Sequence, residues 1–157
     1  MKKTIKCIFV AVFLFGLASC TMLPASMQPD HTVIANIKAG TSINPTRSGH
    51  ASPLYVMLYQ LKEPSAFNAA NFFDLYDKPQ STLGQDYLGA QRVYVKPGQK
   101  FGLSFPVQAG TKYIGVVAAY QNIQHAQWRT VVKLNSSSGT ESIWVNLDSL
   151  AVSANGE

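Results

Sequence analysis

Cysteine is nearly missing from these 157 residues: there is Cys7 and there is Cys20, and only three histidines accompany them, His31, His50 and His125. A disulfide-stapled exported domain needs several paired cysteines, and a zinc site needs three or four Cys or His ligands at close spacing. His31 falls ahead of the first strand, His50 in a loop and His125 in a turn, so no metal centre is expected. Charge is also scarce, at 13% Asp, Glu, Lys and Arg. No Lys/Arg cluster follows the first six positions, so the basic stripe of a nucleic-acid binder is missing. Nor is there a nucleophile elbow or calcium-loop spacing around Asp86. Ser48-Gly49-His50 places Ser and His too close in sequence to imply a triad. Asp74 and Asp77 lie three apart, but Asp77-Lys78-Pro79 reads more simply as a solvated helix end. Catalysis and cofactors are therefore not expected.

What is present begins at the amino end. Lys2, Lys3 and Lys6 precede an apolar run of 12 residues, Cys7 to Ala18, and then Leu17-Ala18-Ser19-Cys20. A membrane-spanning helix needs about 20 residues, so the run reads as a bacterial lipoprotein signal over 1–19. Cleavage would leave a lipidated Cys20 as the first mature residue. Multiple acyl chains give stable anchoring where a single chain is marginal. Thr21, where an Asp would favour the inner membrane, favours the inner leaflet of the outer membrane, facing the periplasm. Residues 20–31, with Pro24 and Pro29, read as a lipidated flexible tether. Loss of three of the thirteen basic residues leaves ten against eight acidic ones, a formal +2. Cys7 leaves with the signal, so packing alone must stabilise the domain.

From residue 32 to 152 the pattern is that of strands. Thr32 to Ala39 alternates, with Val33, Ala35, Ile37 and Ala39 on one side. Leu54 to Leu61 is apolar on both faces, as a central strand covered on both sides should be. Residues 65–78 switch to helical spacing through Phe67, Ala70, Phe72, Phe73, Leu75 and Tyr76. Ser65 and Asn71 are candidate caps for two short helices, expected to cover the second strand. Gln80 to Gly89 reads as loop with room for one more helical turn. Further strands are expected at Arg92–Val95, Lys100–Pro106, Lys112–Gln121, Gln127–Leu134 and Glu141–Val152, with 153–157 as a tail. Pro97-Gly98 suggests a hairpin joining the third and fourth, and Gly115 a close approach or a twist. Arg129 beside Trp128 reads either as a solvated arginine next to a core tryptophan or as a partner anchor. About seven short strands with one helical insert imply an all-β fold of two packed antiparallel sheets.

One connection is unusual. Gly40 to Pro53 spends 14 residues between the first two strands, long for a strand connection. It holds the turn former Asn44-Pro45, donors at Arg47 and His50, a flexible Gly49 and an apolar Ile43. Long loops on rigid sandwiches commonly bind, although a dispensable loop would look the same.

Ser42-Ile43-Asn44-Pro45 through Gly49 and Ser52-Pro53, Tyr59-Gln60-Leu61-Lys62, Phe72-Phe73-Asp74-Leu75-Tyr76 and Leu83-Gly84 together resemble the TssJ (VasD/Lip) lipoproteins of type VI secretion systems. Tyr113-Ile114-Gly115-Val116-Val117-Ala118-Ala119-Tyr120 with Trp128-Arg129, and the Cys20 lipobox, fit the same family. The resemblance spans about residues 33–150. It implies a transthyretin-like two-layer β-sandwich with a small helical insert. It further implies an outer-membrane lipoprotein that binds the periplasmic C-terminal region of TssM, within a TssJ-TssL-TssM complex. Contact is expected through the loop between the first two strands, here Ile43, Asn44, Pro45, Arg47 and His50, with Asn44-Pro45 and Gly49 shaping it. The competing expectation is a lipoprotein that binds a small ligand or cell-wall glycan, with Trp128, Trp144 and the tyrosines as a sugar platform.

Overall fold

The computed structural model describes residues 31–157. The expected signal, Cys20 and all but the last residue of the expected tether lie outside them. Eight strands form two four-stranded layers. They are β1 (His31–Ala39), β2 (Leu54–Leu61), β3 (Tyr87–Val95), β4 (Lys100–Pro106), β5 (Tyr113–Ala118), β6 (Arg129–Lys133), β7 (Gly139–Leu147) and β8 (Val152–Gly156). One sheet runs β4-β1-β7-β8 and the other β3-β2-β5-β6. This is the two-layer sandwich expected from the strand pattern, with the insert between β2 and β3.

The period of two builds the core. Val33, Ala35 and Ile37 of β1, Ile143, Val145 and Leu147 of β7, Val56 and Leu58 of β2, and Ile114 and Val116 of β5 all point between the sheets and are buried. Burying each of the valine, isoleucine and leucine side chains contributes about 1.5–3 kcal/mol. β2 is also apolar on its outer face, and that face is covered. The short helices α1 (Ser65–Ala69), α2 (Phe72–Asp77) and α3 (Pro79–Leu83) lay Phe67, Leu75 and Leu83 over Met57, Tyr59, Leu61 and Val117. Asn71 caps α2 as expected, its side chain accepting from the Asp74 amide at 2.9 Å. Ser65 does not cap α1: the cap position falls on Pro64, which has no side-chain acceptor to offer. The Tyr59 hydroxyl donates to the Leu75 carbonyl at 2.7 Å and ties the insert down. Burial pushes that phenol up to about 12, with Arg92 opposing, so it stays a donor.

Gly115 faces the insert, and a Cβ there would lie 2.8–2.9 Å from the Phe67 ring and 3.0 Å from Leu61 Cδ1. Both neighbours are fully buried. Gly115→Ala should therefore cost about 1–3 kcal/mol through overpacking, read as a lowered urea midpoint. An unchanged midpoint would mean the insert moves aside freely.

Several expectations need correction. His31 is not tether: it opens β1, is buried, and lies 3.9 Å from Glu141, because the inward alternation of β1 starts with it. The Pro97-Gly98 turn joins no hairpin. β3 pairs with β2 and β4 with β1, so the turn crosses from one layer to the other. β1 and β7 run parallel, whereas the other strand pairs are antiparallel. The last strand is two: the chain turns at Asp148–Leu150 and returns as β8, so most of the supposed tail at 153–157 pairs with β7. Its Ser-Ala-Asn-Gly composition carries little strand signal. Arg129 is half-buried and bonded, not freely solvated. Its guanidinium donates to the carbonyls of Phe67 (3.1 Å) and Ala70 (2.6 Å), satisfying the end of α1.

Candidate functional site

The connections 40–53, 96–99, 119–128 and 148–151 gather at one end of the sandwich, because every strand they join ends or begins there. The 40–53 loop is built in two parts. Its base is locked. Ile43 is 0% exposed and belongs to the main core. Asn44 is 2% exposed and adopts φ 48°, a left-handed conformation that Asn tolerates better than most residues. Its Nδ2 donates to Ser52 Oγ (3.0 Å) and to the Pro53 carbonyl (2.8 Å). Its Oδ1 accepts from the Gln121 amide at 2.7 Å. Ser52 Oγ donates to the Asn44 carbonyl and accepts from Gln121 Nε2, each at 2.6 Å. The Asn44 amide donates to the Ser149 carbonyl at 2.9 Å. Tyr120 braces the far side: its hydroxyl donates to the carbonyls of Asp148 (3.1 Å) and Ala151 (2.6 Å), and burial raises its pKa.

The tip hangs from this base. The Thr46 amide donates to the His50 carbonyl and the Gly49 amide to the Thr46 carbonyl, both at 2.9 Å. Gly49 sits at φ 83°, where a side chain would be strained. Thr46 Oγ1 and Ser48 Oγ are 2.9 Å apart, and Ser48 Oγ is 3.0 Å from His50 Nδ1. That pair resembles a nucleophile with its base, but it is exposed, and no carboxylate is bonded to the imidazole. A triad needs the base oriented by a third group. The contacts order the tip instead. Among the described residues no group of three His, Cys, Asp or Glu could hold a metal ion.

Pro45, Thr46 and Arg47 form one wall of a cleft of about 420 Å³, and Gln121 and Asn122 the other. The five expected loop residues therefore separate. Pro45, Arg47 and His50 reach the surface, the first two at the cleft. Ile43 and Asn44 are structural, so expecting them to touch a partner is corrected by their burial. Gln121 and Asn122 were missed: 112–121 reads as one continuous strand, whereas β5 stops at Ala118 and frees them for the cleft. Nothing local in the sequence links them to Arg47.

The two tryptophans do not form a shared platform. Trp144 projects from the outer side of the β4-β1-β7-β8 sheet, 46% exposed. Trp128 packs edge-on against Phe72 of the insert, on the other layer.

Comparison with known proteins agrees with this geometry. The model of the T6SS-SciN family, type VI secretion lipoprotein (VasD, EvfM, TssJ), matches residues 31–150. The crystal structure of the T6SS lipoprotein TssJ1 from Pseudomonas aeruginosa is similar, with a TM-score of 0.76 and 31% identity, covering 82% of this chain and 98% of that one. Serratia marcescens Lip, a membrane-bound component of the type VI secretion system, has a TM-score of 0.71 at 22% identity, covering 78% and 96%. A chain in the structure described as T6SS protein TssM C-terminal domain, from EAEC, has a TM-score of 0.67 at 21% identity, covering 78% and 96%. The last two likenesses establish the fold alone. The search of curated proteins gave no match. With a family match over nearly the whole described domain and the sandwich and insert in place, the chain belongs to the type VI secretion lipoprotein family.

Proposed function

We propose that this lipoprotein has no catalytic role and works as an anchor. In this reading, 1–19 is a cleaved signal, and acylated Cys20 holds the chain to the outer membrane, facing the periplasm. The following residues give reach, and the far end of the sandwich grips the periplasmic C-terminal region of TssM, in a complex that includes TssL. The observation that carries it is the build of the 40–53 loop: a base fixed by Ile43 and Asn44, and an exposed, self-ordered tip beside a polar cleft. Such a tip is pre-organised, which lowers the ordering cost of binding.

The direct test is titration of the mature chain with the TssM periplasmic C-terminal domain of the same bacterium. Saturable binding is expected, and no binding would overturn the reading. Anchoring has its own test. Cys20→Ala should leave the circular dichroism of the domain unchanged and move the protein from the membrane fraction to the soluble one. Retention in the outer membrane would refute lipid as the cause. A glycan-binding role finds less support, since Trp128 and Trp144 face different layers.

A further inference from the structure

Charge is unevenly divided along the sandwich. At the end bearing the 40–53 loop stand Lys38, Arg47, Lys96 and Lys100, all exposed, against one exposed acid, Asp148. Around the opposite end, Lys62, Lys112 and Lys133 are balanced by Glu63, Asp86, Glu141 and Glu157. There Lys112 and Glu63 pair at 2.9 Å. None of the four cations at the loop end has a carboxylate within salt-bridge distance among the described residues.

Two of them are placed against their own interest. Lys38 of β1 is the direct cross-strand partner of Lys100 of β4. Their core-facing neighbours are Ile37 and Phe101, so both lysines stand on the outer face. Like charges directly opposite on antiparallel strands destabilise the pair. Lys96 lies at the adjoining turn, where the Gly98 amide donates to the Gly40 carbonyl and the Ala39 amide to the Gln99 carbonyl, both at 2.9 Å. The three lysines thus crowd the root of the 40–53 loop, and Arg47 carries the charge out to its tip and cleft. Local rules of this kind are broken most often at functional sites, and this repulsion lies beside the 40–53 loop.

We infer that this end of the sandwich is a cationic docking face for an acidic surface of the protein partner. The inference rests on the anchoring reading above and supplies the chemistry of the partner's contact surface. The four cations face a partner across water before contact, so their main effect is on association. Clefts and faces of one sign raise on-rates by about 10–1,000-fold at low salt, and that gain fades as the Debye length shrinks from about 10 Å at 0.1 M to about 3 Å at 1 M. A membrane is the less suitable occupant. β1 begins at His31 and reaches the loop only at its other end, so the cationic face lies at the opposite end of the sandwich from the residue at which the segment from Cys20 joins the domain.

The experiment follows the association rate of the mature Cys20→Ala chain with the TssM periplasmic C-terminal domain, at 50 mM and 500 mM NaCl. Wild-type association should slow at least about tenfold with salt. Lys38→Glu should slow it at low salt, reduce the salt dependence, and raise the urea midpoint, because a carboxylate at position 38 would face Lys100 with the opposite charge. Opposite signs on binding and stability separate a docking role from a structural one. Measurable but salt-independent association, unaltered by Lys38→Glu, would overturn the inference and leave the anchoring reading intact. Absence of any wild-type binding would defeat both. Phosphatidylglycerol vesicles form the control: salt-sensitive sedimentation of the Cys20→Ala chain that adding Lys38→Glu abolishes would assign the face to lipid and overturn the inference.

Discussion

Exchange of Thr46–His50 for a Gly/Ser segment of equal length should weaken binding to the TssM periplasmic domain by at least about 100-fold, while the urea midpoint stays where it was. A loss of that size is about 2.7 kcal/mol, the scale of one or two hot-spot side chains. The separation of effects follows from the loop's construction. The side-chain bonds of the tip run from Thr46 to Ser48, from Ser48 to His50, and from the His50 amide back to Thr46 Oγ1. None reaches the core, so the fold loses little. Binding loses the Arg47 donor at the cleft, and also the order of the tip. Fixing a backbone residue costs about 1–2 kcal/mol, and a floppy segment must meet that cost on association. Substituting further back, through Ile43 and Asn44, would confuse binding with folding. Wild-type affinity in the exchanged chain would remove the tip from the interface.

The second large effect is expected at Asn44. Asn44→Ala should destabilise the domain by about 2–5 kcal/mol. The change removes the partner of the exposed Gln121 amide and of the half-buried Pro53 carbonyl, and each such lost hydrogen bond costs about 0.5–1.5 kcal/mol. Alanine at φ 48° adds about 1–2 kcal/mol. Asn44→Gly removes only the conformational part, so it should recover about that much and no more. Equilibrium urea unfolding of the three chains measures both parts. A loss below about 1 kcal/mol for Asn44→Ala would show that the loop base is held by Ile43 and the backbone alone. Weakened binding by Asn44→Ala at temperatures where it remains folded is also expected, since the base aims the tip.

Most of the fold was legible because its signals are local. Alternation marks Val33-Ala35-Ile37 and Phe101-Leu103-Phe105, and the double-sided apolar run of β2 announces that something covers its outer face. The insert's change to helical spacing names what does. What escaped depends on tertiary pairing. Pro97-Gly98 has the chemistry of a tight turn whether it closes a hairpin or crosses between sheets, and only the partners of β3 and β4 decide. β8 escaped because a short strand can be held by backbone bonds to β7 and by Val152 and Ala154, with small polar residues between. At the site, loop length and turn chemistry located the element, but not the direction of each side chain. An isoleucine in a polar loop looks like a contact residue and proves to be a core residue. Arg129 looked free because its acceptors, the Phe67 and Ala70 carbonyls, are end-of-helix groups far away in sequence.

The placement of β1 has a mechanical consequence under the proposed reading. The lipid attachment would pull on its first residue, His31, and the partner on the loop that leaves its last, Ala39, so tension would run lengthwise along this one strand. β1 is an inner strand, registered against β4 from Thr32 to Lys38 and against β7 from His31 to Ala39. Tension entering and leaving at the two ends of one strand is carried by its covalent backbone, and the ladders on both sides hold that strand in place without being peeled open bond by bond. Resistance to forced unfolding is set by the unfolding rate, and a load path that spares the ladders does not raise it. Under that reading the load passes from the lipid to the partner through one strand, without opening either sheet.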